Sequence, residues 1–175
     1  GFPQFNVDGW TNSAIRAGLY DEQNGMFWEY DGSTLYACRR SSTQQIPGFM
    51  SVTRGSNKVD GINTSFETQL STGDKIVIRG MSYKVVDIES NTTLIIQPAY
   101  KGQSSDNVIG TKTVDLKVPQ NEWNEDVCDG TGALGFIFDP TKIQMAYTDY
   151  SWYGAGKIRF GFKTTKGRVN YVHSF

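Results

Sequence analysis

The 175 residues carry 17 Lys and Arg against 18 Asp and Glu, for a formal net charge of −1. No whole-chain field therefore draws in nucleic acid or an anionic membrane surface. Aromatic residues make up 13% and there are 19 glycines, a profile that suits many short strands joined by tight turns rather than disorder. No segment approaches the ~20 apolar residues needed to span a bilayer. The opening GFPQFNVDGW has neither the basic nor the apolar region of a signal peptide. With no initiator Met, and a last segment NYVHSF that stops inside an alternating pattern, the chain reads as a piece of something longer.

Residues 1–14 hold breakers at Pro3, Gly9 and Asn12 and apolar anchors at Phe2, Phe5 and Trp10, so a docking arm is expected there. A meander follows. Ile15, Ala17 and Leu19 alternate with Arg16 and Gly18, and DEQNG ends in the Asn-Gly pair that favours a tight hairpin. Met26, Trp28 and Tyr30 then share one face, with Phe27 and Glu29 on the other, and after Asp31-Gly32 a third strand is expected at 35–40.

From Ser51 the pattern becomes that of a small β unit. Val52 and Val59 flank a Gly-Ser-Asn turn, and Phe66 and Leu70 lie four apart, as on a helical turn. Ile76 and Ile78 point inward after Gly73-Asp74. Further strands are expected over 83–88 and around Leu94 and Ile96, until Pro98 and Gly102 end the unit. At about 50 residues it is near the lower limit for independent folding, so it leans on its neighbours. The flanking segments need one another. The meander lacks closing strands, and the later hairpin lacks partners for its apolar face. The expected organisation is thus a discontinuous β-sandwich domain of residues 1–50 and 105–175, with a small β-barrel-like module inserted at 51–104.

Downstream, TKTVDLKV at 111–118 is an alternating strand stopped by Pro119. NEWNEDVCDGTGALG is a loop with a turn of helix expected at 122–127, capped by Asn121, and 135–139 reads as a short apolar strand. The best-patterned stretch is residues 143–162, IQMAYTDYSWYGAGKIRFGF. Ile143, Met145 and Tyr147 point one way. After the SWYGAG loop, Ile158, Phe160 and Phe162 share a face opposite Lys157, Arg159 and Lys163. Period-two alternation on both arms means a sheet with one buried face. About seven regularly spaced strands in the main domain give an all-β, antiparallel β-sandwich, jelly-roll or lectin-like.

Two stretches of the chain carry a resemblance. NGMFWEYDGSTLYACRR within 18–40, and DYSWYGAGKIRFGF with KGRVNYVH within 145–171, resemble a family of virion structural proteins of large marine tailed phages, cyanophages especially. The insert, with its Gly-Ser-Asn turn, Asn63-Thr64-Ser65-Phe66, Gly73-Asp74 and Tyr83-Lys84-Val85, resembles a small β-module of tailed-phage virion proteins. The resemblance implies a component of the tail, baseplate or fibre apparatus, assembled in the host cytoplasm. It implies no site residues.

Candidate sites are few. His173, the one histidine, is in phase with Val169 and Tyr171 and is expected to be a packed strand residue rather than an acid–base group. Glu122, Glu125, Asp126 and Asp129 do not match a calcium loop and read as a solvated acidic loop, as do Asp21, Glu22 and Asp31 on the meander turns. DGTG at 129–132 and GAG at 154–156 lack the strand-to-helix context of a phosphate cradle and are turns. Cys38 and Cys128 flank the insert. Two separate thiols are expected, with a bridge as the alternative. Arg39, Arg40, Lys157, Arg159 and Lys163 are candidates for one outward basic face. Trp152 and Tyr153, with Arg159 nearby, are the contact or glycan-binding candidates, because exposed aromatics suit either a sugar ring or a subunit seam.

The expectation is a non-enzymatic virion structural protein whose partners are other copies of itself and other virion proteins. It is expected to have no cofactor, no metal, no nucleic acid and no membrane insertion. The alternative is a carbohydrate-binding, lectin-like module that recognises host surface glycan. A depolymerase would need paired carboxylates across a groove, and none is identifiable.

Overall fold

The structure is a computed structural model that describes residues 13–151 and 156–175. The expected arm at 1–12 and the loop tip with Trp152 and Tyr153 lie outside those residues. In chain order the strands are β1 (Ile15–Tyr20), β2 (Gly25–Tyr30), β3 (Leu35–Gln45), β4 (Phe49–Val52) and β5 (Lys58–Ile62). A single helical turn, α1 (Phe66–Gln69), precedes β6 (Lys75–Ile78), β7 (Met81–Ser90), β8 (Thr93–Gln97), β9 (Ser105–Val108) and β10 (Gly110–Pro119). The last three strands are β11 (Ala146–Tyr150), β12 (Ile158–Lys163) and β13 (Val169–Ser174). The fold is all-β and antiparallel, as its alternating segments require.

The chain divides into two compact units. One comprises Gly25–Arg39, Asp115–Phe175 and the described residues up to Asp21; the other comprises Glu22–Asn24 and Arg40–Val114. The divisions fall within β3 and within β10.

The first unit is a sandwich. One layer has the order β1-β2-β3-β10 and the other β11-β12-β13. Trp28, Tyr30, Leu35 and Ala37 of the first layer pack on Phe160, Phe162 and Val172 of the second, with Trp123, Cys128 and Phe138 contributed by the connecting loop. Phe162 is the hub. Its ring centroid lies 4.8 Å from that of Trp28, 6.3 Å from Trp123, 5.6 Å from Phe136 and 5.5 Å from Phe138. The hairpin therefore finds its apolar partners in the meander far upstream.

One expectation is reversed on β11. Ile143 is 73% exposed, and Met145 and Tyr147 are also exposed. Ala146 packs against the core instead. The register explains this. Ala146 pairs with Phe162 and Thr148 with Phe160, whereas Tyr147 pairs with Gly161. Cross-strand partners share a face, so Ala146 and Thr148 follow the two phenylalanines inward, while Tyr150 at the strand end is exposed.

Both faces of β2 are covered. Trp28 and Tyr30 face the sandwich core, while Phe27 and Glu29, expected on the other face, are also buried. Glu29 accepts hydrogen bonds from Arg16 and Lys117. Burial would raise its pKa, but the Lys117 and Arg16 bonds together outweigh this and hold the carboxyl below the ordinary value.

The second unit has its strands in the order β3-β10-β6-β7-β8-β5-β4-β9. One apolar cluster fills its inner face, including Met50, Val59, Phe66, Ile76, Ile78, Tyr83, Val85, Leu94 and Ile96. Ile76 and Ile78 are fully buried as their alternation requires, and Phe66 roots α1 in the core. The sheet is open rather than a closed barrel. Its order ends at β9, which is separated from β10 in the chain by Ile109 alone.

Two local expectations are corrected. Helical structure after Pro119 is a 3-10 turn over Gln120–Glu122, with Asn121 inside it rather than capping it. Residues 135–139 form no strand, only an isolated bridge between Asp129 and Ile137.

Candidate functional site

The outer face of the β11-β12-β13 sheet carries the most organised polar cluster of the first unit. Asp149 and Arg159 are cross-strand partners. The guanidinium donates through Nε to Oδ1 and through Nη2 to Oδ2 of Asp149, both at 2.9 Å, the bidentate fork that a carboxylate matches. Tyr171 donates its hydroxyl to Asp149 Oδ2 at 2.7 Å. Arg159 also lies over the Tyr171 ring, 4.1 Å from its centroid, a cation–π contact. Burial alone would raise the Asp149 pKa, but the Arg159 and Tyr171 bonds bring it below the ordinary value.

Gly161 pairs with Tyr147 on one side and Tyr171 on the other, so no side chain stands between the two tyrosines. A Cβ there would come 2.7 Å from the Asn170 carbonyl oxygen, so the close strand approach itself demands glycine. A hollow lined by Asp149, Tyr150, Ser151, Lys157 and Arg159 adjoins the pair. Lys157 lies 3.5 Å from Glu125, so each cation here is balanced by a carboxylate. The site offers paired donors and acceptors with no net charge, which suits hydroxyl groups better than ions.

The expected basic face is not continuous. Arg159 and Lys163 point outward from β12, but the Arg39 guanidinium sits 5.5 Å from the ring centroid of Phe175, and Arg40 belongs to the second unit. Trp152 and Tyr153 lie outside the described residues.

The acidic loop is only partly solvated. Asp126 is buried, accepting the Cys128 amide at 2.8 Å and the Asn170 side-chain amide at 2.8 Å. The strand edge explains this. The amides of Glu125 and Asp126 both donate to the Val172 carbonyl, strapping the loop along β13. Gly132 follows from the same packing, since a Cβ there would overlap the Asp126 carboxylate. Asp129 instead makes an Asx turn, its Oδ1 accepting from the Thr131 amide and hydroxyl, which makes DGTG a turn. Asp31 does the same for Ser33 and Thr34 and also accepts from Tyr36. Against the raising effect of burial, these bonds bring its pKa down to about 2.

His173 is 5% exposed. Its Nδ1 accepts the Asn124 amide at 3.3 Å, and its ring meets Phe175 edge-on. Burial lowers its pKa, with Glu125 acting weakly against that. Cys38 and Cys128 are free, buried thiols. Burial, reinforced by nearby Glu29 in one case and Asp126 in the other, pushes both up to about 12, far from the thiolate a nucleophile needs. No group of three or more His, Cys, Asp or Glu side chains suited to a metal occurs among the described residues.

A second surface of the first unit was not anticipated. A groove of about 490 Å³ is lined by Leu134, Ile137 and Ile143, with Lys142, Lys166 and Arg168 among its polar residues. It exists because 135–139 is a loop and because Ile143 falls before β11 rather than within it.

No model of a known protein family matches the chain, and no curated protein matches it. One solved structure that it resembles is titled Phage phi92 endosialidase, at 10% identity, with 97% of this chain and 30% of that chain covered and a TM-score of 0.29. The chain thus spans less than a third of that protein's length. A likeness of this size carries neither fold nor activity across.

Proposed function

We propose that this chain is a non-enzymatic structural protein of a phage virion, part of the tail, baseplate or fibre apparatus, and that it works through surface contacts. The resemblance of residues 18–40 and 145–171 to phage virion proteins supports the source. The observation that carries the contact role is the exposed apolar lining of the groove. Leu134, Ile137 and Ile143 are 46%, 64% and 73% exposed and line one concavity. Clustered exposed aliphatics of this kind mark interaction surfaces. On the second unit Phe49 and Ile62, cross-strand partners, are exposed together in the same way.

The ionisable groups at buried positions serve the fold. Glu29 holds Arg16 and Lys117, Asp126 holds the loop against Asn170, and His173 accepts a backbone amide. Probing purified particles of the encoding phage with antibody against this chain tests the proposal. Labelling at a fixed position on the tail is expected, and absence from the particle would overturn it.

The Asp149–Arg159–Tyr171 cluster favours a second reading, recognition of neutral glycan on a host surface. Trp152→Ala and Tyr153→Ala would then abolish glycan binding without lowering the melting temperature. Loss of stability in place of binding assigns these residues to packing.

A further inference from the structure

The groove beside the β12–β13 turn combines an apolar wall with uncompensated positive charge. Leu134, Ile137 and Ile143 supply the wall. Behind them Phe136 stacks on Phe162 at 5.6 Å, so the floor is anchored in the sandwich core. Three cations stand around the groove, but they are not equivalent. Lys142 is 3.0 Å from Asp139, whose carboxyl accepts from the Thr141 hydroxyl and amide as well and is held at about 2. That pair is neutral. Lys166 and Arg168 are exposed and make no ion pair among the described residues. The groove therefore carries a net charge near +2 on a chain whose total is −1.

The turn that presents these two cations is tied down. The Thr164 amide and hydroxyl both donate to the Arg168 carbonyl, at 2.8 and 3.1 Å, and the Gly167 amide donates to Thr164 at 2.9 Å. Gly167 has φ +75°, a conformation glycine adopts without strain. A pair of cations carried by a fixed turn beside aliphatic side chains selects an occupant with carboxylates flanking an apolar residue. A polyanion such as nucleic acid offers nothing to three aliphatic residues and gains no attraction from a chain whose net charge is −1. A volume of about 490 Å³ suits a few side chains rather than a folded surface.

We propose that this groove is the docking site for an acidic peptide segment of a partner protein, one that places a branched aliphatic side chain against Leu134, Ile137 and Ile143 and carboxylates against Lys166 and Arg168. The assignment rests on the contact role proposed above and names the chemistry of the partner. Binding of this kind is fast and salt-sensitive, because complementary rim charges act mainly on encounter and selectivity.

The test uses the full chain, labelled with nitrogen-15, and a synthetic hexapeptide alternating Asp or Glu with Leu. Saturable amide shifts confined to residues 134–144 and 164–168 are expected, weakening as NaCl rises from about 50 to about 500 mM. Lys166→Glu with Arg168→Glu should weaken binding on the order of tenfold or more, since two exposed attractions become repulsions, and should admit a Lys-Leu peptide instead. Both positions are exposed turn residues, and an unchanged amide spectrum elsewhere shows the variant folded. The proposal is overturned by no saturable shift, by equal binding of an uncharged peptide with Asn or Gln in place of the acids, or by shifts that depend on protein concentration alone, which would assign the groove to a second copy. Displacement of the peptide by a short oligonucleotide of equal charge would overturn it too. Particle labelling reads out separately, so a chain present in the virion whose groove ignores the peptide loses only this assignment.

Discussion

Phe162→Ala is the substitution that most directly probes the packing of the first unit. Phe162 is 1% exposed and touches the rings of Trp28, Trp123, Phe136 and Phe138. Four rings, one held by β2 and three by the strapped loop, cannot collapse far into the space left behind. The loss should therefore fall in the ~3–5 kcal/mol range typical of Phe→Ala in a core. For a unit of this size that is a fall of at least about 12 °C in melting temperature. Trp28 and Trp123 both adjoin the deleted ring, so tryptophan fluorescence during urea unfolding reports the event locally. The companion substitution is Met145→Ser. Simple alternation from Ile143 places Met145 on the buried face, but the register places it outside, 46% exposed. Its cost should stay within ~0.5 kcal/mol, as for ordinary surface changes. A Met145→Ser variant as damaged as Phe162→Ala, or a Phe162→Ala variant that loses less than ~1 kcal/mol, would refute the packing described here.

Two further outcomes follow from the buried polar groups. Glu29→Gln removes the charge that Arg16 and Lys117 share, and because both cations are more than a third exposed the loss should be ~1–3 kcal/mol. The pKa of Glu29 is depressed in the folded chain, as is that of Asp31. Their contribution is accordingly full above the ordinary carboxylate range and disappears as pH falls through the folded values, for Asp31 towards about 2. Acid unfolding monitored by circular dichroism should be less steep in Glu29→Gln, and an identical acid profile would count against the triad. Cys38 and Cys128, with thiols raised to about 12, should resist a thiol reagent at about pH 8 until denaturant is added. Modification of either at the rate of a free thiol would contradict their burial.

Much of the architecture was legible in the chain, and the reasons for the rest are specific. The meander read correctly because Asn-Gly and Asp-Gly mark its turns and Trp28 and Tyr30 mark its inner face. The strands around Ile76, Ile78, Leu94 and Ile96 read correctly because these residues alternate cleanly. The first strand of the late hairpin did not, because alternation defines two faces but not which is buried. Ala146 and Thr148 are weak apolar markers, and Ile143 and Met145 outweighed them. Only pairing with Phe160 and Phe162 decides the matter.

Asp126 reads as solvated in the sequence, and its burial is missed for a related reason. Four acids close together in a loop look solvated, and nothing local shows that Asn170, on a strand much further along the chain, covers one of them. Arg159 stood out as a candidate by its charge, but its partners Asp149 and Tyr171 come from neighbouring strands and emerge only once the register is known. The groove needed a strand to be absent, at 135–139, where the composition was apolar enough to suggest one.

The proposed contact role stands on the exposure of Leu134, Ile137 and Ile143. Hydroxyl-radical footprinting of the isolated chain and of the intact particle, read by mass spectrometry, measures that exposure in both states. The expected result is strong oxidation of Met145 and of the groove aliphatics in the free chain and clear protection of Leu134, Ile137 and Ile143 in the particle. Equal oxidation of those three residues in the two states would contradict a contact role for this surface.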